Sequence, residues 1–232
     1  MVECTAEFDG IAAEYEAQHA ASIRLSGENT DFFARQKIEL LRRYASQHVP
    51  FVEDIMDFGA GIGNAVPHVH EIFPESNITA LDVSANSLAL CDARNLERVR
   101  TLHYDGTHIP SENGRFDIVF TACVFHHIEA KDHIELLSEI RRVLRPGGIF
   151  VLFEHNPWNP ATRHAVANCP FDENAVLISA PEMRARLCEA GFGKVTKEYY
   201  LFFPAALSFL RPLEPYLSWL PMGAQYALIG KA

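Results

Sequence analysis

Three carboxylates and a run of small residues give the chain its first chemical signal. The segment Asp57-Phe58-Gly59-Ala60-Gly61-Ile62-Gly63-Asn64 spaces three glycines at alternate positions, where missing side chains let backbone amides approach a ligand. Asn64 stands where a dinucleotide fingerprint has its third glycine or alanine, so a ligand without a pyrophosphate fits better than a nicotinamide or flavin. Asp82, in ALDVS, can accept hydrogen bonds from both hydroxyls of a ribose. Its other reading is a helix cap, a place that Ser84 can fill instead. Asp105, in HYDG, can accept from an adenine amino group, although Asp-Gly turns also arise for conformational reasons alone. The three acids end successive strand candidates, and together they point to an adenosine-bearing ligand.

A second group could move protons. His126 and His127 follow the fourth strand candidate, and Glu154 and His155 end the fifth. An imidazole titrates near neutral pH and can take the proton of a poorly nucleophilic hydroxyl. His127 and His155 are the candidate bases, with His126 on the substrate side. Trp158 offers an apolar wall, and Arg163 could clamp a phosphate or carboxylate, a surface ion pair being its plainer role. The five cysteines form no CxxC pair and no histidines share metal-ligand spacing, so no metal site is expected.

These residues need a scaffold that brings strand ends together. Two opening helices are expected at Thr5 to about Ala20 and about Thr30 to Gln47, followed by strands at Phe51–Phe58, Asn77–Asp82, Arg98–His103, Phe116–Ala122 and Gly148–Phe153. Helices alternate with them, from Ser84 to about Glu97 and from Ala130 to Leu144, the latter closed by Pro146, Gly147 and Gly148. An irregular stretch from His155 to Ser179 precedes a helix at Pro181–Ala190 and strands at Lys194–Tyr200 and Gln225–Ile229. This alternation predicts a doubly wound α/β fold with a seven-stranded, mostly parallel sheet and ligands at the carboxyl ends of its strands.

The bulk numbers agree with a single globular domain of 232 residues, 48% hydrophobic and 22% charged. A net charge of -10 and the lack of any basic run disfavour nucleic acid as a partner. The opening MVECTAEFDGIAAEYEAQH lacks the basic start and apolar run of a secretory signal. Arg211, Glu214 and several prolines interrupt the apolar segment 201–223, leaving it short of the roughly 18 residues that span a bilayer. A cytoplasmic location follows as the expectation.

In order and spacing, DFGAGIG, ALDVS, HYDG, FDIVFTACVFHHI and LRPGGIFVLFEH resemble the class I S-adenosylmethionine-dependent methyltransferases. The likeness spans about Phe51 to His155. It implies a donor-binding core at 51–155, cap helices at 1–50 and acceptor-side insertions at 156–179 and 201–223. Carried over by position, Gly59, Ala60, Gly61 and Gly63 would face the methionine and ribose of S-adenosylmethionine, Val83 the adenine, and Asp105 and Gly106 its border. Thr121 and Ala122 would lie on the sulfonium side, and Tyr15 would close over the donor or serve as a buried helix aromatic. The function implied is methyl transfer to a small-molecule acceptor, a hydroxyl of a sugar or other metabolite first, with release of S-adenosylhomocysteine. A lipid-linked acceptor is a further option, the aromatic segment 201–223 being a packed insertion, a lid or a dimer surface, with the chain a monomer or homodimer. The rival reading is an inactive donor-binding or regulatory protein of the same fold.

Overall fold

The computed structural model describes Ile23 and residues 26–232. The first expected helix and Tyr15 lie outside the described residues. The second expected helix is α1 (Thr30–His48), which Asn29 caps by accepting the amide of Phe32 and which buries Ile38, Leu41, Tyr44 and Ala45 along one stripe.

Strands β1 (Asp54–Phe58), β2 (Asn77–Asp82), β3 (Val99–His103), β4 (Phe116–Ala122), β5 (Leu144–His155), β6 (Gly193–Tyr200) and β7 (Gln225–Lys231) form one sheet in the order β3-β2-β1-β4-β5-β7-β6. Strands β1 to β5 pair in parallel, and β7 runs antiparallel between β5 and β6. The helices between them are α2 (Val66–Ile72), α3 (Ala85–Asp92), α4 (His133–Val143), α5 (Pro160–Ala167), α6 (Ala180–Glu189) and α7 (Glu214–Leu217).

Both sheet faces are covered, which is why the strands read as continuous apolar runs. Ile55, Ile78, Ile118 and Phe120 pack with α1 and α2 on one face. Met56, Val119, Phe150 and Leu152 pack with α4 and α6 on the other.

The departures from expectation have local causes. Strand β1 begins at Asp54 rather than Phe51, because Phe51 stays 74% exposed and the Asp117 carboxylate takes the amides of Glu53 and Asp54. The helix after Asp82 ends at Asp92, short of Glu97, where Asn95 turns to a φ of 48°. Pro146, Gly147 and Gly148 lie inside β5 rather than closing α4, across a register shift between Phe116 and Ile118 of its partner strand. The stretch 156–179 is not irregular throughout. It holds α5, started by the Asn159 cap and Pro160, and a short 3-10 turn at Pro170–Asp172.

The segment 201–223 follows a 3-10 path (Ala205–Leu213) into α7. Glu214 pins its start by accepting the amides of Leu201, Phe202 and Phe203 at 3.1 Å each. Packing of the whole segment on the core does not occur. Phe202 reaches the core, whereas Phe209, Tyr216 and Trp219 remain more than 70% exposed. Among the described residues no helix is long and apolar enough to cross a membrane.

Candidate active site

The strand order reverses between β1 and β4, and the carboxyl ends there open onto a cavity of about 730 Å³. A crevice at that point is where open α/β sheets take ligands, and the volume suits a small organic molecule.

One half of the cavity is built from backbone and carboxylates. Asp57, Gly59, Ala60, Gly61, Asp82, Val83, Asp105, Gly106 and Ala122 all line it. The Asp82 carboxylate accepts the Gly61 amide at 2.7 Å and the Ser84 amide at 2.9 Å, so it holds the glycine loop in place. Ser84, not Asp82, caps α3 by accepting the amide of Ser87. Each carboxylate oxygen has two lone pairs, so beside the Gly61, Ser84 and Val83 amides Asp82 keeps acceptor capacity for a further donor.

Gly61 has a φ of +53°, and a Cβ there would meet no atom of the described residues within 4 Å, because the position faces open cavity. Gly63 differs. It does not line the cavity, and a Cβ there would sit 2.4 Å from Cys91 Sγ, so this glycine serves the approach of the loop to α3.

Burial, and then the charge of neighbouring Asp82, push the Asp57 carboxyl up to about 8. Burial also raises Asp82, opposed by the Ser84 and Gly61 amides. Asp105 is unlike both. It is exposed, and hydrogen bonds from His108 and Thr107 to its Oδ1 hold it down at about 2, which leaves Oδ2 for an adenine.

The other half is built from side chains that lie far apart in sequence. Glu154 Oε1 accepts the Phe125 amide at 2.8 Å, and Oε2 lies 2.6 Å from His126 Nδ1. His126 Nε2 lies 3.4 Å from Asp172 Oδ1, and His127 Nε2 lies 3.5 Å from the same oxygen. The His155 ring centroid is 5.2 Å from that of His126.

Burial would lower His126, but Glu154 and Asp172 outweigh it and hold its pKa well above the usual histidine value. Burial would raise Glu154 and Asp172, and the histidines outweigh it, setting both at about 2. Burial, reinforced by the charge on His126, lowers His127 and His155 to about 4, so both are neutral at neutral pH.

Four expected site residues are displaced from the cavity wall. Thr121 is fully buried in β4, and its hydroxyl has no hydrogen-bond partner among the described residues. Trp158 and Arg163 do not line the cavity, because the start of α5 turns them outward. Gly63 is the fourth. Asn159, Ala161, Thr162 and Cys169 of the same insertion do line it. Thr162 and Asn159 tie it to the following turn by donating to the carbonyls of Ala224 and Met222.

Residues absent from the expectation also line the cavity. Lys37 is buried on the apolar stripe of α1, close enough for its charge to oppose the rise that burial gives Cys123 and to add to the fall that burial gives His155. A lysine beside Ile38 on that stripe was the available signal. Phe32, Phe33, Leu201, Phe202 and Phe203 make an apolar wall. Cys123 carries a φ of 61°, a strained conformation of the kind that clusters at functional sites.

Comparison with known proteins fits this geometry. A family model described as a methyltransferase domain matches residues 55–148. Residues 55–148 thus carry a methyltransferase domain of the S-adenosylmethionine-dependent kind. The donor implied is S-adenosylmethionine, and the residues present fit it: a loop open at Gly61 and a carboxylate with spare lone pairs.

The methyltransferase is 26% identical over 217 residues to the malonyl-[acyl-carrier protein] O-methyltransferase of Geobacter sulfurreducens, covering 88% of this chain and 76% of that one. It is 27% identical over 159 residues to the fatty-acid O-methyltransferase of Mycolicibacterium smegmatis, covering 67% of this chain and 57% of that one. A solved S-adenosylmethionine-dependent methyltransferase from Thermotoga maritima superposes with a TM-score of 0.69 at 18% identity, covering 97% and 98% of the two chains. At that identity the likeness speaks for the fold.

Proposed function

We propose that the methyltransferase places a methyl group on an oxygen of a small acceptor with an apolar body, held between the glycine loop and the histidine cluster. The observation that carries this reading is the continuity of one cavity from Gly61 and Asp82 through Ala122 to His155 and Phe202.

When bound, S-adenosylmethionine supplies a methyl carbon made electrophilic by its sulfonium. Asp82 grips the ribose hydroxyls, Val83 packs on the adenine, and Asp105 borders it. The loop amides from Gly59 to Gly61 hold the methionine end. Gly63 serves loop packing, and Thr121 stands behind Ala122.

The chain's remaining task is to align an acceptor oxygen with the methyl carbon and receive its proton. His127 and His155 are the neutral imidazoles of the cluster, so they are its proton acceptors, while His126 holds the cluster together. With the donor bound, transfer would join the acceptor oxygen to the methyl carbon and leave the carbon–sulfur electron pair on sulfur, while the imidazole of His127 or His155 would keep the proton. Phe32, Phe33 and Phe202 enclose the acceptor and exclude water.

Lys37 favours a second reading, in which the acceptor oxygen belongs to a carboxylate. A buried ammonium in the wall would hold that charge, and both curated relatives named above are O-methyltransferases of acyl substrates.

Release of S-adenosylhomocysteine from a panel of amphiphiles ending in hydroxyl or carboxylate tests both. Turnover on hydroxyls that stays flat from about pH 7 down to about pH 5, falls below that, and is lost in His155→Ala fits the first reading. Methyl esters that depend on Lys37 fit the second. No product from either class refutes both.

A further inference from the structure

Two imidazoles and a carboxylate aim their ligand atoms at one point in the acceptor half. His126 Nε2 and His127 Nε2 lie 3.4 and 3.5 Å from the same Asp172 Oδ1, and the three ligand atoms all fall within 4.8 Å of one another. Charge-assisted hydrogen bonds are shorter, with heavy atoms about 2.7–2.9 Å apart. A tetrahedral cation with bonds of about 2.0–2.1 Å separates its ligands by about 3.3–3.4 Å, close to the two separations from Asp172 found here.

The orientation of His126 sharpens the point. Its Nδ1 lies 2.6 Å from Glu154 Oε2 and donates there. With Nδ1 so engaged, Nε2 of the charged imidazole holds a proton toward the Asp172 carboxylate, and a divalent cation can take that proton's place. A proton can serve one of the two contacts to Asp172 at a time. A divalent cation serves all three ligands together.

A carboxylate behind a ligating histidine is also the usual support of a metal site, because it fixes the tautomer and the direction of the ring. Glu154 has that position, and it is itself fixed by the Phe125 amide.

We propose that His126, His127 and Asp172 bind a first-row divalent cation such as Zn²⁺, with Glu154 as the positioning residue and the open coordination position facing the cavity. All three ligands line that cavity, and two histidines with one carboxylate leave room for a further oxygen. The inference deepens the reading of this half as the acceptor site and rests on it for its chemical consequence. The cation polarises the acceptor oxygen, and His155 becomes the imidazole left to take the proton. It also revises the expectation of no metal site, which considered only ligands close in sequence. Asp172 arrives from the 3-10 turn at Pro170–Asp172.

The test is direct metal binding to the full chain, with donor-site binding measured in parallel. After chelator treatment and dialysis against Zn²⁺, the wild type is expected to retain about one zinc per chain by elemental analysis. Co²⁺ in its place is expected to give the intense visible bands of a tetrahedral site. His127→Ala and Asp172→Asn should each weaken Zn²⁺ binding by about 100-fold, and Glu154→Gln by about 10–100-fold. S-adenosylhomocysteine binding in His127→Ala and Asp172→Asn, equal to wild type, shows that these variants are folded.

Failure of the wild type to retain zinc, or zinc retained equally by both ligand variants, overturns the proposal. Failure of the wild type to bind S-adenosylhomocysteine strikes instead at the donor site, and zinc retention is read independently of it.

Discussion

Strand β1 carries an aspartate near each end, and the two live under opposite conditions. At the amino end, Asp54 is buried but matched: Arg115 lies 2.7 Å away and Arg145 3.0 Å away, and Asn77 donates a further hydrogen bond. Asp117 on β4 joins this network, accepting two backbone amides and pairing with Arg145 at 2.8 Å. At the carboxyl end, Asp57 is as deeply buried and faces Asp82, with no lysine or arginine in ion-pair range of either among the described residues. Three residues apart on one strand, one carboxylate is matched by arginines, and the other carboxyl, pushed up to about 8 by burial, faces a cavity. Fold stability is secured at one edge of the sheet, and carboxyls without a cationic partner are left at the edge where a ligand would meet them.

That contrast can be broken at either end. Asp54→Ala leaves two arginines without their buried partner, and the unfolding free energy is expected to fall by roughly 2–3 kcal/mol, below the 3–5 kcal/mol of a fully buried pair because both arginines are partly exposed. Urea titration of wild type and variant measures it, and a loss below the error of the fit would show that the network is not holding the sheet.

Asp57→Asn should act with the opposite sign. The folded pKa of Asp57, about 8, lies above the ordinary value of 3.8. Its contribution to stability is therefore complete below about pH 4 and is lost as pH rises toward 8. Removing the ionisable group removes that loss, so the variant should gain on wild type by more than about 1 kcal/mol between pH 5 and pH 8. Melting curves at both pH values check it, and an unchanged difference would mean that Asp57 is ionised in the folded chain at neutral pH.

The two halves of the cavity also differ in how far the sequence reveals them. The donor half is assembled from local pieces, each a strand end with the loop that follows it. Asp57 with its glycines, Asp82 with Val83, and Asp105 with Gly106 are therefore legible as short motifs, and the sheet order brings them to one rim. Gly63 and Thr121 mark the limit of that reading, because a motif position says which residues are near a site and not whether a side chain faces it. The acceptor half is assembled from pieces far apart in the chain. His126 meets Glu154 across two strands and Asp172 from an insertion, and Lys37 comes from α1, so no window of sequence contains the cluster. Trp158 and Arg163 suggest a site role by their chemistry, but the α5 cap at Asn159 sets the direction of that helix and turns both away from the cavity.

Isothermal titration with S-adenosylhomocysteine at neutral pH, run on wild type, Asp54→Ala and Asp82→Ala, addresses the donor site most directly. Wild type and Asp54→Ala are expected to bind one equivalent with equal affinity, and Asp82→Ala to bind about 100-fold more weakly, the loss of one to two charged hydrogen bonds. Equal affinity in wild type and Asp82→Ala would contradict the assignment of this rim as the donor site.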